Sequence, residues 1–274
     1  MNPLGTDSQR LYTPQFFLLF VAQLLYMSGQ GMLFHFAQYV HRIGGTVDTV
    51  GWIVGIGMVG SLLIRPFAGR LVDRLGCKPL LLAASGSAAV AIFMFQWFDH
   101  VFMACLLRIV VQLALAAFLV TIAVLAAQIS PPGRSAESLA SIGIGGLAGM
   151  TIGPTVGDFI FTGHEQEAWA YHLFFTVAAL LMAGSFVLLC FARSAKSKPS
   201  EAHALGQSPS FFRLTITYWP GAIVVMGFCF ACMHAIPVSF VERLVEARGF
   251  ANIKFFFLAY SPQPWRSRSW AYGI

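Results

Sequence analysis

AGRLVDRLGCKP, residues 68–79, places Arg70, Asp73, Arg74 and Lys78 within a dozen positions of a chain that elsewhere avoids charge. Long apolar runs flank it on both sides, so a wet, glycine-bearing segment separates two stretches that water does not favour. Across 274 residues, hydrophobic side chains make up 57% and charged ones 10%, against roughly 25% charged in soluble domains. That leaves too little polar surface to cover two soluble domains, and the chain reads as a polytopic membrane protein.

Apolar runs long enough to cross hydrocarbon, about 20 residues each, occur at 15–41, 49–69, 79–98, 101–128, 138–161, 171–192 and 217–240. Only helices and closed barrels satisfy their backbone groups inside lipid. None of the runs has the strict alternation of a barrel strand, which is about ten residues long. The expectation is an all-α membrane bundle with seven complete spans. MNPLGTDSQRLYTPQ, at the start, is polar and lacks the apolar core of a cleavable leader.

Lys and Arg in the short loops orient such a bundle. With the N-terminus inside, the inner segments hold Arg10, Arg70, Arg74, Lys78, Arg134, Arg193, Lys196, Lys198 and Arg213. The outer ones hold only Arg42, Arg243, Arg248 and Lys254. Nine against four favours a cytoplasmic N-terminus and a multi-pass protein of the cell membrane. The net charge of +6 then reflects attraction to the anionic inner leaflet, and nucleic acid is not expected as a partner. The polar run 192–213 reads as a flexible connector after the sixth span.

Gly69, Asp73, Arg74, Gly76 and Lys78 form a short turn between the second and third spans on this reading. In type and spacing they resemble the signature loop of the major facilitator superfamily: a glycine, three residues, an aspartate, a basic residue, any residue, a glycine and then basic residues. Cys77 stands where a basic residue is usual, and Lys78 fills the next basic position. The resemblance implies a charge cluster that latches the cytoplasmic side of a carrier. Without it, the segment is a positive-inside turn with glycines for tight geometry.

In the fifth span, GGLAGMTIGPTVGD carries Gly145, Gly149, Gly153 and Gly157 four apart, hence on one helix stripe. Small residues at this spacing allow close helix contact in lipid, and Pro154 removes a backbone donor. Gly153, Pro154 and Gly157 are similar to the glycine-proline motif of the superfamily's antiporters, with Asp158 where a second glycine is common. That likeness implies antiport or efflux; otherwise the stripe is a packing face with no directional meaning.

Arg108 lies inside the fourth span, one turn before Gln112 and on the same face. A charge at this depth costs ~2.5 kcal/mol or more to insert and marks a functional hypothesis. The superfamily often has an arginine in this helix, so the resemblance extends to Arg108. It suits either a fixed cation for a substrate or coupling group, or a snorkelling structural arginine. In the first span Gln23, Tyr26, Gln30 and Gln38 share an arc of about 120° at helical period. The arc reads as cavity lining or as interhelical glue. His35 lies outside it; His35 and His234 each titrate near neutral pH when unperturbed, but a satisfied structural histidine explains each alone.

Other patterns carry no chemistry. Cys229 and Cys232 have a metal-like spacing without a second pair, and five scattered cysteines do not suggest a disulfide framework. GIGGLA sits in a membrane run with no preceding strand, so it is not a dinucleotide loop. No enzyme, metal site or cofactor is expected. A seven-helix receptor conflicts with the charge-based orientation, and a retinal protein would need a lysine that 217–240 lacks.

The superfamily's carriers usually have twelve helices in two six-helix halves. By resemblance this chain supplies a six-helix N-terminal half (1–192), a linker (193–216), and a second unit begun by a seventh helix and an incomplete eighth (217–260). An irregular tail, 261–274, contains SPQPWRSRSWAYGI. This pattern suggests a truncated product, whose ridge 145–157 and polar residues Gln30 and Arg108 are expected to lie partly unpacked. The functional expectation is a secondary carrier for a small-molecule substrate in the lipid bilayer, coupled to protons or another ion and working as an efflux antiporter. Uptake of a sugar or organic acid is the runner-up. A non-transporting remnant is the alternative of another class.

Overall fold

The computed structural model describes residues 11–164 and 167–193, together with 221, 225, 226 and 229. The chain divides into two units, Met1–Ser197 and Lys198–Ile274, and every helix described below belongs to the first. Apart from the few positions just named, the expected linker 193–216, the spans and segments in 217–260 and the tail 261–274 lie outside the described residues.

Thr13 starts the bundle. Its backbone is extended and its hydroxyl accepts the Phe16 N–H at 3.3 Å, while Pro14 occupies the first helical position, where its missing donor is not needed. Helix α1 (Pro14–Met32) passes through one 3-10 turn, Leu33–His35, into α2 (Phe36–Arg42), together forming the first span. Helix α3 (Val47–Leu75) opens on a reciprocal cap between Thr46 and Thr49. It bends by 55° between Val47–Leu62 and Phe67–Leu75, a break that contains Pro66, which cannot donate to the helical ladder. Helices α4 (Cys77–Met94), α5 (Val101–Ile129), α6 (Ser135–Phe161) and α7 (Ala168–Phe191) follow. Among the described residues there is no strand.

Five spans pass on length and apolarity without a break, and the bent α3 makes a sixth. The expected boundaries of the first six runs agree with these helices to within a few residues at most ends. Helix α1 packs against α6 and α7, α5 packs against α3 and α4, and α4 also meets α7. Phe16, Tyr26, Phe95, Phe118, Phe174 and Phe175 are fully buried between them. The exterior carries Trp52, Leu62, Phe102, Phe159, Leu180 and Phe191. Such an apolar skin suits hydrocarbon rather than water.

The segment 69–78 differs from the short turn expected of it. Helix continues through Leu75, and Gly76 alone reverses the chain, at φ 86° and with its N–H bonded to Val72 O at 2.8 Å. Arg70, Leu71, Val72 and Arg74 are compatible with helix, so nothing ends it until the left-handed position that favours glycine.

Candidate functional site

The glycine stripe of α6 is fully engaged, contrary to the expectation of an unpacked ridge. A side chain at Gly145 would meet the Phe20 ring at 3.0 Å, at Gly149 the Leu24 carbonyl, and at Gly153 the Ser28 carbonyl and, at 2.7 Å, Met32 N. Each obstacle belongs to α1. The stripe therefore seats α1 directly on α6, with the backbones approaching as only glycine permits. At its far end the missing Cβ of Gly157 makes room for the imidazole of His35.

The polar arc of the first span divides between neighbours. Tyr26 and Gln30 face α5: the Tyr26 ring stacks on Phe118 at 3.8 Å and 5°. Gln30 Nε2 donates to Gln112 Oε1 at 3.3 Å. Gln23 instead packs at Gly146 of α6. His35, on the 3-10 turn and off that arc, meets α6 and α7 instead.

Arg108 and Gln112 are both buried, at 8% and 6% exposure. The guanidinium of Arg108 lies 4.9 Å from the centre of the Phe36 ring, a cation–π contact. Among the described residues its Nε and Nη1 meet no hydrogen-bond acceptor, and neither does the Tyr26 hydroxyl. A buried guanidinium with open donors is costly and is primed for an acceptor brought from elsewhere. Gly57 of α3 stands where a Cβ would touch the Gln112 side chain at 3.0 Å, so that helix leaves space for the glutamine.

One pairing has no counterpart in the sequence reading. His35, 2% exposed, places Nε2 3.4 Å from Asp158 Oδ1 and 3.3 Å from the Pro154 carbonyl. The glycine-proline motif of α6 thus delivers both a carboxylate and a carbonyl to an imidazole on the first span. Residue depth was the available signal: the first and fifth spans run in the same direction, and both residues lie near the same end. Pairing them still required knowing that the two spans touch.

At the opposite end of the unit the expected latch residues are dispersed. Gly69 is helical with open space around it, and Asp73 and Arg74 are exposed. No ion pair joins Asp73 to its basic neighbours among the described residues. Lys78 Nζ donates to the Cys190 carbonyl at 2.7 Å, satisfying one of the open carbonyls at the end of α7.

A family model described as Major Facilitator Superfamily matches residues 19–262. Curated relatives include Multidrug resistance protein 1 of Bacillus subtilis, 23% identical over 205 residues, which are 74% of this chain and 51% of that protein. An uncharacterized MFS-type transporter of the same organism, YuxJ, is 24% identical over 141 residues, 52% of this chain and 34% of the relative. Multidrug resistance protein MdtG of Citrobacter koseri is 26% identical over 160 residues, covering 57% and 38%. The chain spans about half or less of the length of these relatives.

Proposed function

Since this chain belongs to the major facilitator superfamily, whose members are membrane transporters and not enzymes, we propose that it is the helical unit of a proton-coupled efflux carrier for a small molecule. It would lie in the cell membrane with its N-terminus inside. The observation that carries the substrate side is the cluster of Tyr26, Gln30, Arg108 and Gln112. This is a buried polar site on two facing helices, in a unit whose exterior is apolar. Among the described residues Arg108 leaves two donor nitrogens, Nε and Nη1, open there, and Gln30 and Gln112 hold each other in register. Efflux by antiport is supported by the glycine-proline segment of α6 seated on α1 and by the multidrug-resistance names of relatives.

Exposed Asp73 and Arg74 at the junction of α3 and α4 are free to meet a facing surface during transport. We assign them the latch role that their spacing implies.

A second reading has one observation in its favour. A buried guanidinium whose Nε and Nη1 meet no acceptor among the described residues recognises carboxylate better than it recognises a cationic drug, which favours an organic acid as substrate. Inverted membrane vesicles containing the 274-residue chain test both. Movement of a fluorescent lipophilic cation driven by an imposed proton gradient supports efflux of drugs. Gradient-driven movement of a labelled organic acid instead supports the second reading. If neither moves beyond protein-free vesicles, transport by this chain is refuted.

A further inference from the structure

We propose that His35 and Asp158 form the proton-carrying site of this carrier, an imidazole–carboxylate pair buried where the first span meets the glycine-proline segment of α6. The inference rests on the proton-coupled reading above and names the residues that perform the coupling.

The geometry assigns the protons. Nε2 of His35 faces two acceptors, Asp158 Oδ1 at 3.4 Å and the Pro154 carbonyl at 3.3 Å. A carbonyl oxygen only accepts, so Nε2 carries hydrogen. Nδ1 is then the lone-pair nitrogen of a neutral ring, and among the described residues it has no partner although it is buried. The pair thus holds one proton on Nε2, which faces the carboxylate, and keeps one open protonation position on Nδ1.

Its surroundings keep bulk water away. Phe161 lies 5.6 Å and Phe174 6.1 Å from the imidazole, ring centre to ring centre, and Gly157 closes the side facing α6. Among the described residues the other titratable and charged groups on the elements packed around the pair are Tyr26 of α1, Tyr39, His41 and Arg42 of α2, Cys105 and Arg108 of α5, Glu137 of α6, and Tyr171, His172 and Cys190 of α7. Arg108 is held over Phe36 and Arg42 over the Tyr171 ring. Intramembrane carboxylate and histidine groups in such settings are the usual parts of proton relays.

Loading moves one proton from water to His35 Nδ1, turning neutral imidazole into imidazolium. The pair passes from a single negative charge to overall neutrality. Discharge returns that proton from Nδ1 to water on the other side and restores the negative charge. A net charge is costly to bury and a neutral ion pair much less so. The loaded pair therefore tolerates tight closure of α1 on α6, and the empty pair favours access to water. This difference in burial cost is what lets proton occupancy bias a conformational equilibrium.

The test uses the 274-residue chain in lipid nanodiscs, labelled with nitrogen-15 at histidine and titrated by NMR, with His35 assigned from H35Q. The expected result is a His35 resonance that titrates, showing that the buried imidazole takes up a proton. Its midpoint should move by about one pH unit or more in D158N and stay in place in the exposed control E137Q. A His35 that does not titrate, or whose midpoint ignores D158N, overturns the proposal. In vesicles, H35Q and D158N should lose proton-driven dye movement while keeping exchange of labelled for unlabelled dye, which needs no proton. Intact proton-driven movement in both variants removes the site and leaves the antiport reading standing. If dye movement by the unaltered chain is not proton-driven, the antiport reading falls and the titration alone decides the proton site.

Discussion

Gly153→Ala adds one methyl group where α6 touches α1. The new Cβ would collide with the Ser28 carbonyl and stand 2.7 Å from Met32 N and 2.8 Å from Gly31 C, where ordinary contact begins at 3.4 Å. All three obstacles are backbone of α1, so no rotamer change relieves them and the helices must separate. A gap of about 0.5–1 Å forfeits a quarter to a half of the dispersion energy of each contact it opens. Overpacking of this kind costs about 1–3 kcal/mol, while alanine's better helix propensity returns up to about 1 kcal/mol. Gly143, in the same helix, has nothing within 4 Å of its Cβ position. Gly143→Ala therefore collects the propensity gain without the clash. The two variants make the same chemical change in one helix and are expected to differ by about 1–3 kcal/mol. Unfolding in mixed micelles with increasing SDS, followed by circular dichroism, measures the difference. If Gly153→Ala unfolds no earlier than Gly143→Ala, the close seating of α1 on α6 is refuted.

Arg108→Leu should abolish transport while leaving unfolding free energy unchanged or raised by up to about 3 kcal/mol. It removes a buried cation with open donors and keeps apolar contact with Phe36. A marked loss of stability would show Arg108 to be a structural strut. Asp73→Asn should shift unfolding by less than about 0.5 kcal/mol, because Asp73 is exposed, yet lower the flux measured in vesicles; undiminished flux counts against the latch role. Single cysteines placed at Arg134 and Gln166 in a cysteine-free chain should react with an impermeant thiol reagent from the inner and outer faces respectively. The reverse pattern would invert the assigned orientation.

What the sequence by itself determined is the number and placement of helices in the first unit, because an apolar run of spanning length is a local property. A residue's neighbours within 20 positions decide whether it can sit in hydrocarbon, so the six runs from 15–41 to 171–192 reappear as α1 to α7, with the first run supplying both α1 and α2. The shared face of Arg108 and Gln112 was legible for the same reason, since one helical turn relates them. The reversal lies at Gly76, but the turn is shorter than the charge pattern suggests, because Arg70, Asp73 and Arg74 fit the wet end of a helix as well as they fit a loop. Only tertiary structure decided which helix faces meet. His35 already lies off the arc set by Gln23, Tyr26 and Gln30, and the glycine stripe of α6 fixed the height at which α1 docks. Together they place His35 against Asp158, two residues that read separately as a structural histidine and a departure from a glycine motif. Periodicity along one helix carries no information about its register against another, and here that register depends on steric contact at glycines more than 100 residues away in the chain.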